Sequence, residues 1–253
     1  MGSANRPKRA SRLGRARPKP ARASVSPRHD VLVAGNSLRL RQGYLGISSI
    51  VLVEAGSTRI LLDCGHHVTR VALREALRSR SLGPDDIDLL VLSHLHFDHA
   101  LNADLFRRAK VLVAKDEWAY AQSPHPDDDF VPAGIVHLIG GLDPELIEGE
   151  AELAPGVTLF PAPGHTPGCM AVRLDGTAHG TVVLAADAIK HVREAITGET
   201  EHAFTPPGVA AATIARIVDT ADRIVPGHFP ELVRLADGRF TWTEPAHLDL
   251  VIR

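Results

Sequence analysis

The chain is poor in aromatic and sulfur-containing residues, and none of its apolar runs is long. Aromatic residues make up 4% of the 253 positions, so a buried core must consist mainly of aliphatic side chains. The two cysteines, Cys64 and Cys169, are too few for a disulfide framework and fit a reducing compartment. No segment approaches the roughly 20 apolar residues of a transmembrane helix. These shortages favour a cytoplasmic protein without a membrane partner.

Acidic residues are missing from the first 28 positions, which hold nine of the 28 lysine and arginine residues. Residues 29–253 therefore carry 19 basic residues against 30 acidic ones, a formal charge of −11. The N-terminal segment also lacks aliphatic periodicity, which predicts a disordered basic tail over residues 1–29. A nucleic-acid-binding arm, an organelle transit peptide and a misassigned start codon are alternative explanations. Residues 30–253 are predicted to form one domain.

Strand and helix patterns occur in two blocks with no clean linker between them. The apolar run in residues 86–94 (DIDLLVLSH) predicts a strand that is buried on both faces. Apolar spacing predicts helices over 68–80, 101–109 and 208–220. Residues 121–134 are rich in proline and aspartate and predict a loop that closes over a site or contacts the substrate. Two strand-rich blocks with helices predict an α+β fold, an αββα four-layer sandwich.

Residues 93–100, SHLHFDHA, place three histidines and an aspartate within six positions, directly after an aliphatic run. His94 and His96 are two residues apart, which in an extended chain directs both side chains to one face. Asp98 and His99 follow where the chain turns into the next predicted helix, so they can point elsewhere. One loop could thus supply two adjacent metal positions, because zinc accepts both imidazole nitrogen and carboxylate oxygen.

Three later stretches offer further ligands, and each follows a predicted strand. His165 lies in a glycine- and proline-rich turn, while Asp187 and His228 each end an apolar run. Loops at strand ends are common places for functional sites. A carboxylate such as Asp187 is costly to bury unpaired, so a cation beside it is a natural explanation. A histidine-rich polar loop without a metal is the simpler alternative, but chance would rarely place these residues at four strand ends.

This pattern resembles the metallo-β-lactamase superfamily of dinuclear metallohydrolases. The resemblance rests on the H-x-H-x-D-H string at 94–99, followed in order by His165, Asp187 and His228, and it covers about residues 31–230. It implies the αββα sandwich of that family and two metal ions per chain. Zinc is the expected metal, with iron and manganese as alternatives.

The resemblance implies a role for each of these side chains. The first metal position would be held by three histidines: His94, His96 and His165. The second would be held by an aspartate and two histidines: Asp98, His99 and His228. Asp187 would bridge the two metals, and Asp63 would lie beneath the site and orient the ligating histidines.

Two metals at such a site indicate a hydrolase. A metal-bound water ionises near neutrality and supplies a hydroxide nucleophile, and Asp98 would transfer its proton to the leaving group. The first hypothesis is a zinc-dependent hydrolase of a small carboxylic ester, lactone or thioester. The second is a phosphodiesterase or ribonuclease whose basic tail contacts nucleic acid. The third is a non-catalytic metal-binding module. The oligomeric state is left open.

The sequence departs from the family pattern near the ligands. Ala100 and Leu101 stand where many members carry two glycines, and Ala186 replaces the usual glycine before the bridging aspartate. The ligand spacing is similar to that of acyl-homoserine lactonases, yet Lys190 stands where those enzymes carry a tyrosine. We expect Lys190 and His191 to contact an anionic or carbonyl-bearing substrate, the alternative being two solvated side chains.

Overall fold

A computed structural model describes residues 26–242 and 244. Most of the predicted basic tail, residues 1–25, lies outside the described residues, so its disorder stays a prediction. Its predicted end at residue 29 is wrong, because Arg28 and His29 already belong to the first strand. The strands in chain order are β1 (Arg28–Val33), β2 (Arg39–Leu40), β3 (Gly43–Tyr44), β4 (Ile50–Ala55), β5 (Thr58–Leu62), β6 (Leu89–Val91), β7 (Lys110–Ala114), β8 (Glu145–Ile147), β9 (Ala151–Ala154), β10 (Val157–Pro161), β11 (Met170–Thr177), β12 (Gly180–Ala186), β13 (Arg223–Pro226), β14 (Leu232–Arg234) and β15 (Phe240–Trp242).

Six helices connect these strands within the described residues. They are α1 (Arg70–Ser79), α2 (Phe97–Ala100), α3 (Lys115–Gln122), α4 (Ile135–Gly140), α5 (Val192–Thr197) and α6 (Val209–Thr220). Short 3₁₀ turns lie at Pro84–Asp86 and Ala103–Leu105. In the part of the chain that the structure describes, no helix has the length and apolar character needed to cross a membrane.

The strands form two large mixed sheets and one small ribbon. The first sheet has the order β1-β4-β5-β6-β7-β8, the second has the order β15-β14-β13-β12-β11-β10-β9, and β2 pairs with β3. Strands β5 to β8 run parallel to one another in the first sheet, and β12 and β13 are parallel in the second. Parallel neighbours end at the same edge of a sheet, so the loops that follow β5, β6, β12 and β13 can gather residues there.

Three hydrophobic cores separate four layers. Side chains alternate between faces along each strand. In β12, Val182 and Leu184 point into the core between the two sheets, while Val183 and Ala185 point towards the core under α5 and α6. A third core lies under α1, α3 and α4 on the outer face of the first sheet. The predicted αββα sandwich is confirmed.

The predicted helix over 101–109 is wrong, whereas those over 68–80 and 208–220 are confirmed with shorter bounds as α1 and α6. After α2 the chain forms only a 3₁₀ turn. Asn102 Nδ2 donates hydrogen bonds to the carbonyls of Cys64 and His66, at 3.0 and 2.7 Å, and these tertiary contacts fix an irregular backbone against the local pattern.

The buried face of α1 is narrower than its apolar spacing predicts. Leu73 and Leu77, four residues apart, are buried in the core. Val68, which precedes the helix, and Val71, in its first turn, are however 75% and 65% exposed. The sequence pattern therefore identifies the helix correctly but overestimates how much of its surface packs against the sheet.

The last residue of β12 has a strained backbone. Ala186 has a φ of 44°, in the left-handed region that a Cβ atom disfavours. The usual family glycine at this position would adopt such a backbone without strain. Ala186 is held there because its carbonyl accepts a hydrogen bond from Gly227 N–H at 2.8 Å, between the ends of β12 and β13. The departure noted in the sequence therefore has a conformational cost.

We predict that Ala186→Gly destabilises the protein less than Ala185→Gly does, by about 1–2 kcal/mol of unfolding free energy. Both alanines are buried in β12, so both variants lose one buried methyl group and gain backbone freedom in the unfolded chain. Only position 186 is also relieved of a left-handed backbone. Urea unfolding of the two variants measures the difference. Equal losses of stability would contradict the strain assigned to Ala186.

Candidate active site and metal centre

Five loops bring their polar side chains together at one edge of the two sheets. Asp63 follows β5, and the segment 94–99 follows β6. Asp187 follows β12, His228 follows β13, and His165 lies in the turn between β10 and β11. Each of the eight predicted metal-site residues is at most 6% exposed. The fold thus gathers residues from both sheets into one buried polar cluster.

The first predicted triad is compact. Ligand atoms of His94, His96 and His165 all lie within 4.8 Å of one another, and His96 Nδ1 lies 3.0 Å from His165 Nε2. The outward nitrogen of each ring makes one hydrogen bond: His94 Nδ1 with Ser93 Oγ at 3.0 Å, His96 Nε2 with Asp128 Oδ2 at 3.0 Å, and His165 Nδ1 with the His202 carbonyl at 2.9 Å. These bonds leave one nitrogen of each ring facing the centre.

The second predicted triad has the same design. Ligand atoms of Asp98, His99 and His228 also lie within 4.8 Å of one another. His99 Nδ1 donates to Asp63 Oδ2 at 2.7 Å, and His228 Nδ1 lies 3.2 Å from the carbonyl oxygen of Asn36. The structure therefore places Asp63 in contact with His99, and its role in orienting a ligand stays a prediction.

Asp187 lies between the two triads. Its Oδ1 is 3.3 Å from both His99 Nε2 and His228 Nε2, and its Oδ2 is 3.3 Å from His165 Nε2. One carboxylate oxygen thus faces each group of ligands. This is the arrangement that a carboxylate bridging two cations would need.

Several of these inward atoms have no hydrogen-bond partner among the described residues. They are His94 Nε2, His99 Nε2 and Asp187 Oδ1, all buried. A buried polar atom without a partner costs about 1–3 kcal/mol, so a cluster of them at one point requires an explanation. Imidazole nitrogen and carboxylate oxygen are zinc ligands. The residues therefore fit two transition-metal cations.

The charges in the cluster match this chemistry. Burial, with the nearby rings of His99 and His96, holds the pKa of His94 well below its usual value. Burial and the charge of Lys190 do the same to the pKa of His165. A lowered pKa favours the neutral ring, the form that binds a metal. In His99 and His228 burial also opposes protonation, but Asp187 and Asp98 outweigh it and raise the pKa of both rings. Burial opposes ionisation of Asp187, but His228, His99 and His165 outweigh it and hold its pKa well below the usual range.

Two carboxylates that the sequence analysis does not identify support the first triad, one by direct contact and one through neighbouring residues. Asp128 accepts from His96 Nε2 and from the Tyr120 hydroxyl, the latter at 2.6 Å. Glu117, in α3, bonds to the loops that flank the first triad. The loop predicted over 121–134 begins two residues later, because Ala121 and Gln122 are the last residues of α3. Residues 123–134 lie outside helices and strands, and Asp128 anchors this loop to the site. No local signal separates Asp128 from its two aspartate neighbours.

Lys190 and His191 lie at the mouth of the site. Lys190 Nζ donates to Thr200 Oγ1 at 2.9 Å and lies 3.3 Å from Glu194 Oε1. His191 Nδ1 accepts from Arg193 N–H at 3.2 Å and so caps α5. Both line a cavity of about 400 Å³ that also reaches His228. Lys190 additionally lines the small cavity directly over the ligands.

Residues 43–228 match the family model of the metallo-beta-lactamase superfamily. The chain belongs to that superfamily. It is accordingly a metal-dependent hydrolase, and the predicted resemblance and fold class are confirmed. The match runs from β3 to His228, so it covers strands β3 to β13, all six described helices and every predicted metal ligand, but not β1, β2, β14 or β15.

Relatives in the superfamily include proteins of two kinds. Metallo-beta-lactamase domain-containing protein 1 of Xenopus laevis is 29% identical over 196 residues, which cover 78% of this chain and 76% of that protein. N-acyl homoserine lactonase of Bacillus thuringiensis is 31% identical over 143 residues, or 56% of this chain and 54% of the lactonase. The aligned stretch thus spans about half of the lactonase.

Solved structures of the superfamily share the fold. An N-acyl homoserine lactone hydrolase, solved with its product N-hexanoyl-L-homoserine at the catalytic metal centre, superposes with a TM-score of 0.65. The superposition covers 81% of this chain and 94% of that hydrolase, at 22% sequence identity.

We predict that Gly227→Ala weakens metal binding, because there is no room for a side chain beside Asp187. A Cβ atom at Gly227 would lie 2.0 Å from Asp187 Oδ1, so the carboxylate would have to move. We expect metal affinity to fall by about 10–100-fold, the typical cost of displacing a ligand's support. Gly134→Ala is the control, since a Cβ there meets no atom within 4 Å. Chelator competition measures both; wild-type affinity in Gly227→Ala would contradict the prediction.

Proposed function

We propose that the chain is a zinc-dependent hydrolase with two metal ions, which cleaves a carboxylic ester, lactone or thioester of a small molecule. The observation that carries this proposal is the position of Asp187, with one oxygen facing each histidine-containing triad. Among the described residues, Asp187 Oδ1 and the Nε2 atoms of His94 and His99 have no hydrogen-bond partner. A metal-free polar cluster would leave these atoms unsatisfied.

The proposed ligand set follows the two triads. The first metal would bind the inward nitrogens of His94 (Nε2), His96 (Nδ1) and His165 (Nε2). The second would bind the Asp98 carboxylate and the Nε2 atoms of His99 and His228. Asp187 would bridge them. Zinc is preferred to manganese because imidazole nitrogen predominates among the ligands, and iron, which accepts the same ligands, is the alternative.

The chain's own residues would orient the substrate and transfer a proton from the attacking water to the leaving group. The bound metals would polarise the substrate carbonyl and lower the pKa of a coordinated water. Asp98 lines the small cavity over the ligands, and its Oδ2 is 3.4 Å from His228 Nε2. From there the Asp98 carboxylate would accept a proton and return it to the leaving oxygen or sulfur. Its own backbone is fixed by a hydrogen bond from Ser48 Oγ to its carbonyl at 2.5 Å.

Aromatic residues around the opening support an apolar substrate. The chain has few aromatic residues, yet Tyr44, Phe97 and Phe130 gather beside the ligands. Tyr44 packs edge-on against Phe130 with ring centroids 5.8 Å apart and is 41% exposed. This wall offers apolar contact to an acyl group. The similarity to lactonases supports the same class of substrate, although Lys190 would here supply a cation in place of a tyrosine hydroxyl.

Phosphodiester or RNA cleavage is the second candidate, and the basic segment at residues 1–28 is the observation that favours it. The cavity lined by Lys190 and His191 gives this second candidate no further support. Its cations, among them Lys190 and Arg193, are matched by acidic residues such as Glu194 and Glu201. A polyanion would meet no net positive surface there.

A non-catalytic role is disfavoured because every proposed ligand is present. The free, buried Cys64 and Cys169 fit a cytoplasmic location.

The test is turnover by zinc-loaded protein on two substrates, an acyl lactone and a bis-aryl phosphodiester. We expect lactone turnover that falls by at least about 100-fold in Asp187→Ala, because one carboxylate serves both metals. Asp127→Ala is the matched control, since its side chain is 88% exposed and lies outside the cluster. Turnover of the phosphodiester alone would support the second candidate. Loaded protein that turns over neither substrate would contradict the proposal.

A further inference from the structure

We propose that Glu117 is a positioning residue for the first metal position, because it ties together the two loops that carry the His94–His96–His165 triad. The inference rests on the ligand set proposed above. It goes beyond that set by assigning a separate means of support to one of the two metals. It identifies α3, which contributes no ligand, as the element that sets the geometry of that position.

The carboxylate of Glu117 spans both loops. Glu117 lies in the first turn of α3 and is 0% exposed. Its Oε1 accepts from Leu95 N–H at 2.9 Å, and its Oε2 accepts from the Thr166 hydroxyl at 2.6 Å. Leu95 lies between His94 and His96, and Thr166 directly follows His165. Each bond therefore ends within one residue of a ligand.

Helix α3 approaches the His165 loop as closely as the backbone permits. A Cβ atom at Gly168 would lie 1.9 Å from the backbone nitrogen of Glu117 and 2.4 Å from its Cα atom. Only a residue without a side chain can occupy this position. The contact keeps the short Glu117 side chain within reach of both loops, so Gly168 and Glu117 act together.

A buried carboxylate at this place is costly without a nearby cation. Burial raises the pKa of Glu117, while the bonds from Thr166 and Leu95 oppose the rise. Within the described residues Glu117 makes no salt bridge, so two hydrogen bonds are its direct compensation. A metal held by the adjacent triad would supply the missing positive charge. The charge on Glu117 would in turn strengthen binding of that metal.

A second residue on the same face of α3, Tyr120, also supports the triad. Tyr120, three residues after Glu117, donates to Asp128, which accepts from His96 Nε2. The outward nitrogens of the second triad bond instead to Asp63 and to the Asn36 carbonyl, neither of which lies on α3. Loss of the Glu117 carboxylate should therefore weaken one metal position and spare the other.

The test compares Glu117→Gln with wild type. Glutamine has nearly the same shape but one acceptor oxygen, so one of the two donors would face an NH₂ group. We expect affinity at the first position to fall by about 10–100-fold, with the second unchanged. Chelator competition gives the two affinities, and cadmium NMR separates the position with three histidine ligands from the position with two histidines and Asp98. Asp116→Asn is the control, since Asp116 is exposed and carries the same charge on the same turn of α3.

A second pair of variants keeps the inference testable if Glu117→Gln does not fold. Thr166→Val removes one arm of the bridge with little change of shape, and Thr166→Ser restores the hydroxyl. We expect Val to weaken the first position and Ser to retain it. Unchanged affinities in the folded variants, or equal weakening of both positions, would overturn the role of Glu117. Wild-type protein that binds no metal would instead overturn the proposed ligand set.

Discussion

Five buried imidazoles and two buried carboxylates converge at one point, and each imidazole is fixed by a hydrogen bond at its outward nitrogen. This constraint determines the rest of the site. A ring held at one nitrogen must present the other to the centre, and the centre then contains more acceptors than donors. The two metal ions proposed above would satisfy these inward atoms without moving the rings. The residues that bond to the outward nitrogens, such as Ser93, Asp63 and Asp128, are therefore as much a part of the site as the proposed ligands.

The sandwich positions this cluster by ending its parallel strands at the same edge. Close backbone contacts complete the arrangement. Gly227 leaves room for the Asp187 carboxylate, and Gly168 lets α3 approach the His165 loop. Ala186, directly before Asp187, has a strained backbone. The layers are rigid because three aliphatic cores fill the space between them. The substrate opening, in contrast, is built from loops and from the exposed β2–β3 ribbon, where variation costs little stability.

The sequence predicts the layers and the ligand cluster because both leave local signals. Continuous aliphatic runs mark the strands, and the 94–99 string with three later strand-end residues marks the proposed ligands. Glu117 and Asp128 leave no such signal. Glu117 acquires its contacts only when α3 docks over Gly168, and Asp128 is one of three consecutive aspartates. The false helix at 101–109 has the same origin, since buried hydrogen bonds from Asn102 override its apolar spacing.

Anomalous diffraction from crystals of the zinc-loaded protein, recorded at the zinc edge, tests the central claim most directly. We predict two peaks, one on each side of the Asp187 carboxylate. The first should lie about 2.0–2.1 Å from the inward nitrogens of His94, His96 and His165, the usual zinc–imidazole distance. The second should lie against Asp98, His99 and His228. A single peak, or peaks only at surface histidines such as His125, would contradict it.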